Sequence, residues 1–456
     1  MAEPTYIVHG TTSGLRNLAA TIDLMVKTSA TGPALAPLSA TRAILGPVYA
    51  DAIAATSPLE TVEQILRPHG AQWLEPVSPE ALARYQSARQ PGEIDLGLTP
   101  QTRTLVDQRY DWHLRASRLV EAWAHVGGPH AIDWRDIVVG QIDTGYTKHP
   151  CFGWPATWTN TANDRNFFHR ELGADPATDR WANRDTWSAE DNVMGAFGGH
   201  GTRTASVLAG YDVSPAGRAA DGGQATEGYF GAAPRVPFVP VRISNSVWIN
   251  DTTDALGDAL AWLVDDVGVK VITISMGATL PAYLPPKARA AIDLAYERGI
   301  IVCCAAGNLI RPVVTPARAP RTIAVGGSTP GDRPWTGSSY GRYVDVCAPA
   351  WPIWRASTTQ LGTFEYGYGD GTSFATPQVA GTAALWLLKH RTALDAAYPQ
   401  RWMGVAAFLK VLKETVRKPG GWNTNDYGAG CLDADAVLTA DLPPVASLLK
   451  DDEPHH

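Results

Sequence analysis

The chain has 456 residues, of which 45% are hydrophobic and 18% are charged, a composition typical of soluble globular proteins. Its formal net charge of −7 gives no reason to expect a nucleic acid partner, and no apolar run reaches the roughly 18 residues that a membrane span requires. Residues 1–6 lack the basic and apolar regions of a signal peptide, so we expect a cytoplasmic protein, or a secreted one whose signal has been removed.

The first 90 residues predict a small α+β segment. A short strand is expected at 6–8 (Tyr-Ile-Val), and helical patterns follow at 15–28 and 59–66. Residues 78–80 (Ser-Pro-Glu) have the order of an N-cap, a first helical residue and a first-turn acid, which predicts a helix ending near residue 89.

Residues 90–102 contain two prolines and two glycines and predict a linker. We therefore divide the chain into an N-terminal region that includes the linker (1–105), a main domain (106–440) and a tail that we expect to be disordered (441–456).

In the main domain strands and helices alternate, which predicts a doubly wound, mostly parallel sheet with helices on both faces. The expected strands are 137–142, 236–243, 269–276, 300–304 and 322–325. The expected helices are 200–209, 254–265, 286–298 and 403–416, with a further buried helix around 379–388. This is an α/β fold preceded by the smaller N-terminal segment.

Four residues with reactive or polar side chains lie where these elements begin or end. Asp143 follows the 137–142 strand, at the edge of the sheet where parallel strands end. His200 lies between two glycines at the start of a helix, and Asn308 follows the 300–304 strand. Ser373 comes after Gly371 and begins a helix, where unpaired N–H groups and the helix dipole favour a developing anion.

These stretches, in this chain order, resemble the signatures of the subtilase family of serine peptidases. The resemblance extends from about residue 107 to about residue 439 and implies a subtilisin-like fold and a serine endopeptidase. Further landmarks lie at 111–114 with 121–123, at 338–341 with 344–349, and at 428–434.

The resemblance implies a role for each residue. Ser373 is expected to attack the peptide carbonyl, His200 to act as general base and then as general acid, and Asp143 to hold the imidazole. Asn308 and the Ser373 N–H are expected to form the oxyanion hole.

The resemblance also implies that an extended substrate adds as a strand to two exposed backbone edges, which we call the substrate walls. One is formed by Ser275, Met276 and Gly277, and the other by Ala305, Ala306 and Gly307. Because both walls are small, we expect the pocket for the residue before the scissile bond to accept apolar or medium-sized side chains. The alternative is a preference for an acidic residue, which Arg311, Arg318 or Arg321 would bind. The simpler interpretation is that these arginines lie on a loop and are solvated.

No cofactor is expected to be required. Calcium is possible but no site is assigned, because residues 151–154 (Cys-Phe-Gly-Trp) lack the acid that helps to bind it in relatives. Asp164, Asp175, Asp185 and Asp191 could form another site, but we expect them to be solvated loop residues. The five cysteines show no metal-binding spacing and are expected to be reduced and buried.

Two other functions are less consistent with the sequence. An α/β-hydrolase esterase would need the serine before the aspartate and histidine, and a final glycine that residues 371–375 lack. A non-catalytic scaffold is disfavoured by the complete set of site residues. We expect protein or peptide substrates, with the N-terminal region acting as an inhibitory pro-segment or as a docking site for a regulatory protein.

Overall fold

The computed structural model describes four strands in the N-terminal region and, beyond them, residues 110–153, 164–168, 188–191, 193, 197–211, 231–250, 252–278, 284–308, 310, 312–358 and 364–451. The chain divides into two compact units, Met1–Ile94 and Asp95–His456, and this division falls within the predicted linker. The linker itself and the helices predicted at 15–28, 59–66 and 78–89 lie outside the described residues.

The described residues of the N-terminal unit form a four-stranded antiparallel sheet. Its strands are β1 (Thr5–His9), β2 (Leu35–Ser39), β3 (Arg42–Leu45) and β4 (Trp73–Val77). The spatial order is β2-β3-β1-β4, so β1 lies inside the sheet and confirms the predicted strand. The connections β1–β2 and β3–β4 each pass over one strand, the topology of the split βαβ motif.

The second unit is larger. Its strands are β5 (Val139–Asp143), β6 (Arg165–Asn166), β7 (Phe238–Arg242), β8 (Val271–Ile274), β9 (Ile301–Ala305), β10 (Ile323–Thr329), β11 (Arg333–Pro334), β12 (Val346–Pro349), β13 (Ile353–Ser357) and β14 (Glu365–Gly369). Its helices are α1 (Trp112–Ala116), α2 (Leu119–Ala124), α3 (His200–Ala209), α4 (Thr253–Trp262), α5 (Pro286–Glu297), α6 (Thr372–Ala397), α7 (Trp402–Glu414), α8 (Thr424–Tyr427) and α9 (Ala434–Thr439).

The central sheet has the order β11-β10-β9-β8-β5-β7-β6, with β12 also paired to β10. All of these pairs are parallel except β10–β11, which confirms the predicted doubly wound sheet. The strands β13 and β14 form a separate antiparallel hairpin. Because β5, β8 and β9 lie side by side, the residues that follow them meet at one edge of the sheet.

Two hydrophobic cores cover the two faces of this sheet. The helices α4 and α5 pack on one face, and α3, α6 and α7 pack on the other. Cys303 and Cys304 are neighbours on β9 and belong to different cores, as strand geometry requires. All five cysteines are buried, as predicted, and burial raises the pKa of the Cys431 thiol to about 12.

The helix α6 starts before its apolar run, at Thr372, and it contains Pro377. Proline has no N–H to donate to the carbonyl four residues earlier, which is that of Ser373. The Ser275 hydroxyl donates to this carbonyl instead, at 2.9 Å. Residue 275 therefore satisfies a backbone group that the proline leaves open beside the proposed nucleophile.

The structure differs from the expectation of a disordered tail over residues 441–451. Tyr398 Oη donates to the Pro443 carbonyl at 2.7 Å, and Arg321 Nε donates to the Asp451 carbonyl at 2.8 Å. Leu448 is buried against the core, so this segment has an apolar contact that its two prolines and its charge did not indicate. Residues 452–456 lie outside the described part of the chain.

Over the residues that the structure describes, no helix is both long enough and apolar enough to cross a membrane.

Candidate active site

Asp143 and His200 form a buried pair. Asp143 is the last residue of β5 and His200 is the first residue of α3, and each side chain is about 1% exposed. His200 Nδ1 donates to Asp143 Oδ1 at 2.6 Å, which fixes the ring orientation. The other ring nitrogen, Nε2, is buried and has no hydrogen-bond partner among the described residues. It is therefore available to accept a proton.

Two neighbours hold the Asp143 carboxylate in place. The Thr144 backbone N–H donates to Oδ1 at 2.7 Å, and the Thr204 hydroxyl donates to Oδ2 at 3.0 Å. Thr204 lies one turn after His200 on α3, so the same helix supplies the histidine and a donor to its partner. The start of α3 lies close to the segment that follows β5, and Gly201 permits this contact. A Cβ at position 201 would lie 1.8 Å from the Gly145 carbonyl oxygen.

Ser373 is the second residue of the 26-residue helix α6. Its hydroxyl donates to the Ser275 carbonyl at 3.1 Å. The helices α3 and α6 pack against each other, and Val207 and Phe374 share a small apolar cluster between them. Ser373 and His200 thus occupy the N-terminal turns of two neighbouring helices.

Asn308 is oriented by Thr372. Its Oδ1 accepts the Thr372 backbone N–H at 2.8 Å and the Thr372 hydroxyl at 2.9 Å. Because Oδ1 is held in this way, the Nδ2 donor faces Gly371, where an added Cβ would lie 3.3 Å from it. Gly371 has a φ of 153° and precedes the start of α6. The amide donor is therefore directed toward the chain that carries Ser373.

Asp191 connects the residue that follows Asp143 to the residue that precedes His200. It is only 2% exposed, and its Oδ2 accepts the Thr144 hydroxyl and the Gly199 N–H, both at 2.8 Å. Burial raises the pKa of the Asp191 carboxyl, an effect that Arg242 and the surrounding donors oppose. The expectation that Asp191 is a solvated loop residue is therefore wrong.

Of the other acids considered for a calcium site, only Asp164 lies within the described residues. Asp164 Oδ2 accepts the Ser188 hydroxyl at 2.7 Å, and Asp175 and Asp185 lie outside the described residues. In the described part of the chain no group of three or more His, Cys, Asp or Glu side chains is arranged to hold a metal ion.

Both predicted substrate walls contact the start of α6, through Ser275 and Gly307, but they are already paired within the chain. Instead of the exposed edge that we expected, the Gly277 N–H donates to Val247 O at 2.9 Å, and its carbonyl accepts Ile249 N at 3.1 Å. Met276 lies beside it and is buried.

The second wall is paired in a similar way. Ala305 ends β9, the Ala306 N–H donates to Val325 O at 2.9 Å, and the Gly307 carbonyl accepts Ser339 N at 2.9 Å. The Thr315–Pro316 peptide bond, near both walls, is cis.

The arginines considered for an acidic substrate residue have other partners. Arg321 donates to Asp293 Oδ1 at 2.9 Å and to Asp451, and Arg318 lies over the Tyr343 ring at 4.7 Å. Arg311 lies outside the described residues. The contacts of Arg318 and Arg321 therefore favour a structural role for both.

Sequence reasoning missed three features that position the site, namely the roles of Thr204 and Thr372 and the buried state of Asp191. Thr204 stands one helical turn after His200, and this spacing is a signal that the sequence contained. Thr372 precedes the serine, and its role depends on Asn308, which is distant in the chain. Asp191 resembles any other acid in a polar loop, so its burial had no sequence signal.

His149 gives a prediction for the pH dependence of stability. Burial lowers its pKa from 6.5 to about 4, and its Nδ1 accepts the Cys151 N–H at 3.2 Å. Between these two pH values the unfolded histidine binds a proton that the folded one does not, so the free energy of unfolding falls as the pH drops from 6.5 to 4. His149→Asn keeps an acceptor but cannot titrate in this range.

We therefore expect the urea midpoint of His149→Asn to fall less than that of the wild type between pH 7 and about 4.5. The carboxylates also change the free energy of unfolding with pH, and so does His113, whose pKa is lowered to about 3 by burial. These contributions are the same in the wild type and in the variant, so they cancel when the two midpoints are compared. Equal falls in the two midpoints would contradict the assigned burial effect.

The chain is similar in sequence to known proteins. A family model described as the subtilase family matches residues 135–430. The chain is 31% identical over 226 residues to subtilisin NAT of Bacillus subtilis subsp. natto, which covers 48% of this chain and 54% of that protein. It is 32% identical over 294 residues to mycosin-1 of Mycobacterium tuberculosis, which covers 54% of this chain and 61% of that protein. The chain thus spans about half the length of the first curated relatives it matches.

Solved structures agree on the fold. The crystal structure of MycP1 with its N-terminal propeptide removed has a TM-score of 0.52 at 23% identity, covering 73% of this chain and 98% of that one. MycP1 from the ESX-1 type VII secretion system has a TM-score of 0.53 at 21% identity, covering 76% and 89%. At these identities the similarity shows the fold alone.

Proposed function

The chain belongs to the subtilase family, and on that basis we propose that it is a serine endopeptidase that hydrolyses peptide bonds through Asp143, His200 and Ser373. The observation that supports this most directly is the buried Asp143–His200 pair, in which Nδ1 is bound and Nε2 has no partner among the described residues. A general base requires this arrangement, with one nitrogen oriented and the other able to take a proton.

In the proposed reaction the Ser373 hydroxyl turns from the Ser275 carbonyl toward His200 Nε2. His200 takes the hydroxyl proton as Ser373 Oγ attacks the peptide carbonyl carbon, and Asp143 stabilises the imidazolium that forms. His200 then gives the proton to the leaving amine. Water, activated by His200 in the same way, hydrolyses the resulting acyl-enzyme and regenerates Ser373.

The negative charge on the carbonyl oxygen needs donors that are in place before the reaction. We assign this role to Asn308 Nδ2 and to the Ser373 N–H, one of the N–H groups at the start of α6 that have no partner within the helix. The hydrogen bonds from Thr372 to Asn308 Oδ1 support the assignment. They hold the amide so that Nδ2 already faces the start of α6, and the Asn308 side chain does not have to change conformation during the reaction.

Substrates are proposed to be proteins or peptides bound in an extended conformation. The Gly277 N–H and carbonyl are hydrogen-bonded to Val247 and Ile249. A substrate strand that bonds to these Gly277 groups must therefore displace the 247–249 segment from them. Two backbone hydrogen bonds are exchanged for two others, and the net cost of the exchange is therefore small.

The function is tested by incubating the purified full-length chain with an unfolded protein such as reduced casein and counting new N-termini by mass spectrometry. We expect internal cleavage that a serine-directed phosphonate abolishes. The proposed activity would be contradicted if casein stayed intact after prolonged incubation with the folded enzyme. This result would have to hold both for the full-length chain and for the chain without its N-terminal region.

We further propose that residues 1–105 act as an inhibitory pro-segment. The strand order β2-β3-β1-β4, with helical patterns predicted between β1 and β2 and between β3 and β4, gives this region the β-α-β-β-α-β order of a unit with its own sheet. A docking module for a regulatory protein is the second candidate, and the compactness of the unit favours neither role over the other.

The pro-segment hypothesis predicts that the wild type shortens near residues 90–106 while Ser373→Ala stays at full length. It also predicts that the isolated fragment 1–105 inhibits the shortened enzyme when it is added back. Intact-mass analysis and a peptide-hydrolysis assay measure these two effects. A full-length wild type that is already active, and that added 1–105 does not inhibit, would favour the docking role instead.

A further inference from the structure

The side chain of Val314 lies between the two walls that we assign to the substrate pocket. A Cβ atom added to Gly277 would lie 2.3 Å from Val314 Cγ2, and one added to Gly307 would lie 2.8 Å from Val314 Cγ1. Real Cβ atoms do not approach other heavy atoms so closely. The two methyl groups of the valine therefore touch the two glycine backbones, one on each side, and fill the space between the walls.

Backbone hydrogen bonds fix Val314 in this position. The Val314 N–H donates to Ala306 O at 2.9 Å, on one wall. The next residue, Thr315, donates to Ala278 O at 3.0 Å and accepts Ala278 N at 2.7 Å, beside the other wall. The segment is thus tied to both sides, and withdrawing the valine would break buried hydrogen bonds.

Val314 does not serve as a core residue of the sheet. It is 3% exposed, but it belongs to neither of the two cores that cover the faces of the sheet in the described residues. Its neighbour Val313 belongs to the core beneath α4 and α5. Successive side chains of an extended segment point in opposite directions, so Val313 supports the fold while Val314 faces the walls.

The space filled by Val314 begins at the reacting groups. Ser275, whose carbonyl accepts the Ser373 hydroxyl, precedes Gly277 by two residues, and Asn308 follows Gly307 directly. In the binding mode that the family resemblance implies, a peptide whose carbonyl lies between Ser373 and Asn308 directs the side chain before the scissile bond into this space. A leucine or phenylalanine there would overlap with the isopropyl group of Val314.

We propose that Val314 determines substrate choice by admitting only a small residue, glycine, alanine or serine, before the scissile bond. The inference rests on the proposed peptidase function and narrows the expectation of apolar or medium-sized side chains. Each excess methylene in a filled pocket reduces kcat/KM by roughly tenfold or more. The two glycines set the width of the pocket, and the valine from a third segment sets its depth.

The test uses peptide p-nitroanilides that differ only in the residue before the scissile bond, with alanine, leucine or phenylalanine at that position. The wild type is expected to have a kcat/KM for the alanine substrate at least about tenfold higher than for the phenylalanine substrate. Val314→Gly should raise the phenylalanine-to-alanine ratio by at least about tenfold. Val314→Thr has nearly the same shape and should keep the wild-type ratio.

Val313→Ala is the matched control. It removes methyl groups from the core next door, so it should lower the thermal midpoint and leave the ratio unchanged. Val314→Ala is a milder second variant, which should raise the ratio by less than Val314→Gly and keeps the test available if the glycine variant fails to fold.

A wild type that cleaves after phenylalanine as fast as after alanine would overturn the inference and leave the peptidase function intact. The inference is also overturned if the folded alanine and glycine variants keep the wild-type ratio. A wild type that cleaves none of the peptides and does not react with a phosphonate would overturn the proposed function, and this inference with it.

Discussion

Replacing Ser373 by alanine is expected to lower kcat for peptide hydrolysis by about 10⁶-fold, the loss measured when the serine of subtilisin, a relative of this chain, is removed. In the proposed mechanism the Ser373 hydroxyl is the group that forms the acyl-enzyme. His200 and Asp143 would remain as a pair without a nucleophile, so the remaining activity would come from the oxyanion donors and substrate binding alone.

The fold should survive this change. The Ser373 hydroxyl makes one hydrogen bond, to Ser275 O, and losing such a bond costs about 1 kcal/mol. The measurement is peptide hydrolysis under saturating substrate, together with a thermal midpoint. Ser328→Ala, which removes a buried hydroxyl from β10, is the control and should keep its activity. If Ser373→Ala cleaves peptides at the wild-type rate, another residue is the nucleophile.

The second large effect is expected at Asn308. Asn308→Leu has a similar shape but no donor, so we expect kcat to fall by about 10²–10³ with KM nearly unchanged, again a range measured on subtilisin. The reason is that the oxyanion forms only after the substrate has bound, and a donor aimed at it affects the chemical step alone.

Leucine also leaves the Thr372 N–H and hydroxyl without their acceptor, and this could change the fold. Asn308→Asp separates the two effects, because it keeps both hydrogen bonds from Thr372 but has no Nδ2 donor. We expect this variant to lose kcat at least as strongly as the leucine variant while its thermal midpoint stays close to that of the wild type. If the loss falls on KM in both variants, Asn308 binds the ground-state substrate and does not stabilise the oxyanion.

From the sequence we assigned the residues whose chemical type the proposed reaction requires. Asp143, His200 and Ser373 stand at an end of a strand or helix, Asn308 follows β9 by three residues, and the structure places all four at one edge of the sheet. The helix His200–Ala209 is predicted with its observed bounds because glycines flank it on both sides.

The rest depended on contacts between distant segments. The small residues of the two walls predict an open pocket, but the group that fills it comes from Val314, on a third segment that crosses between them. Asp191 is separated from its partners by loop residues, and nothing in a polar loop distinguishes a buried acid from an exposed one. The contact of Asp451 with Arg321 joins residues 130 apart, so the ordered tail also had no local signal.

The central claim is that Ser373 is a nucleophile activated by His200, and covalent labelling tests it most directly. The purified protein is treated with a serine-directed phosphonate, alongside Ser373→Ala and His200→Ala, and the modified peptide is identified by mass spectrometry. We predict one phosphonate per wild-type molecule, attached to Ser373, with no labelling of Ser373→Ala and greatly slowed labelling of His200→Ala. A folded wild type that stays unlabelled, or a label on any other serine, would contradict this claim.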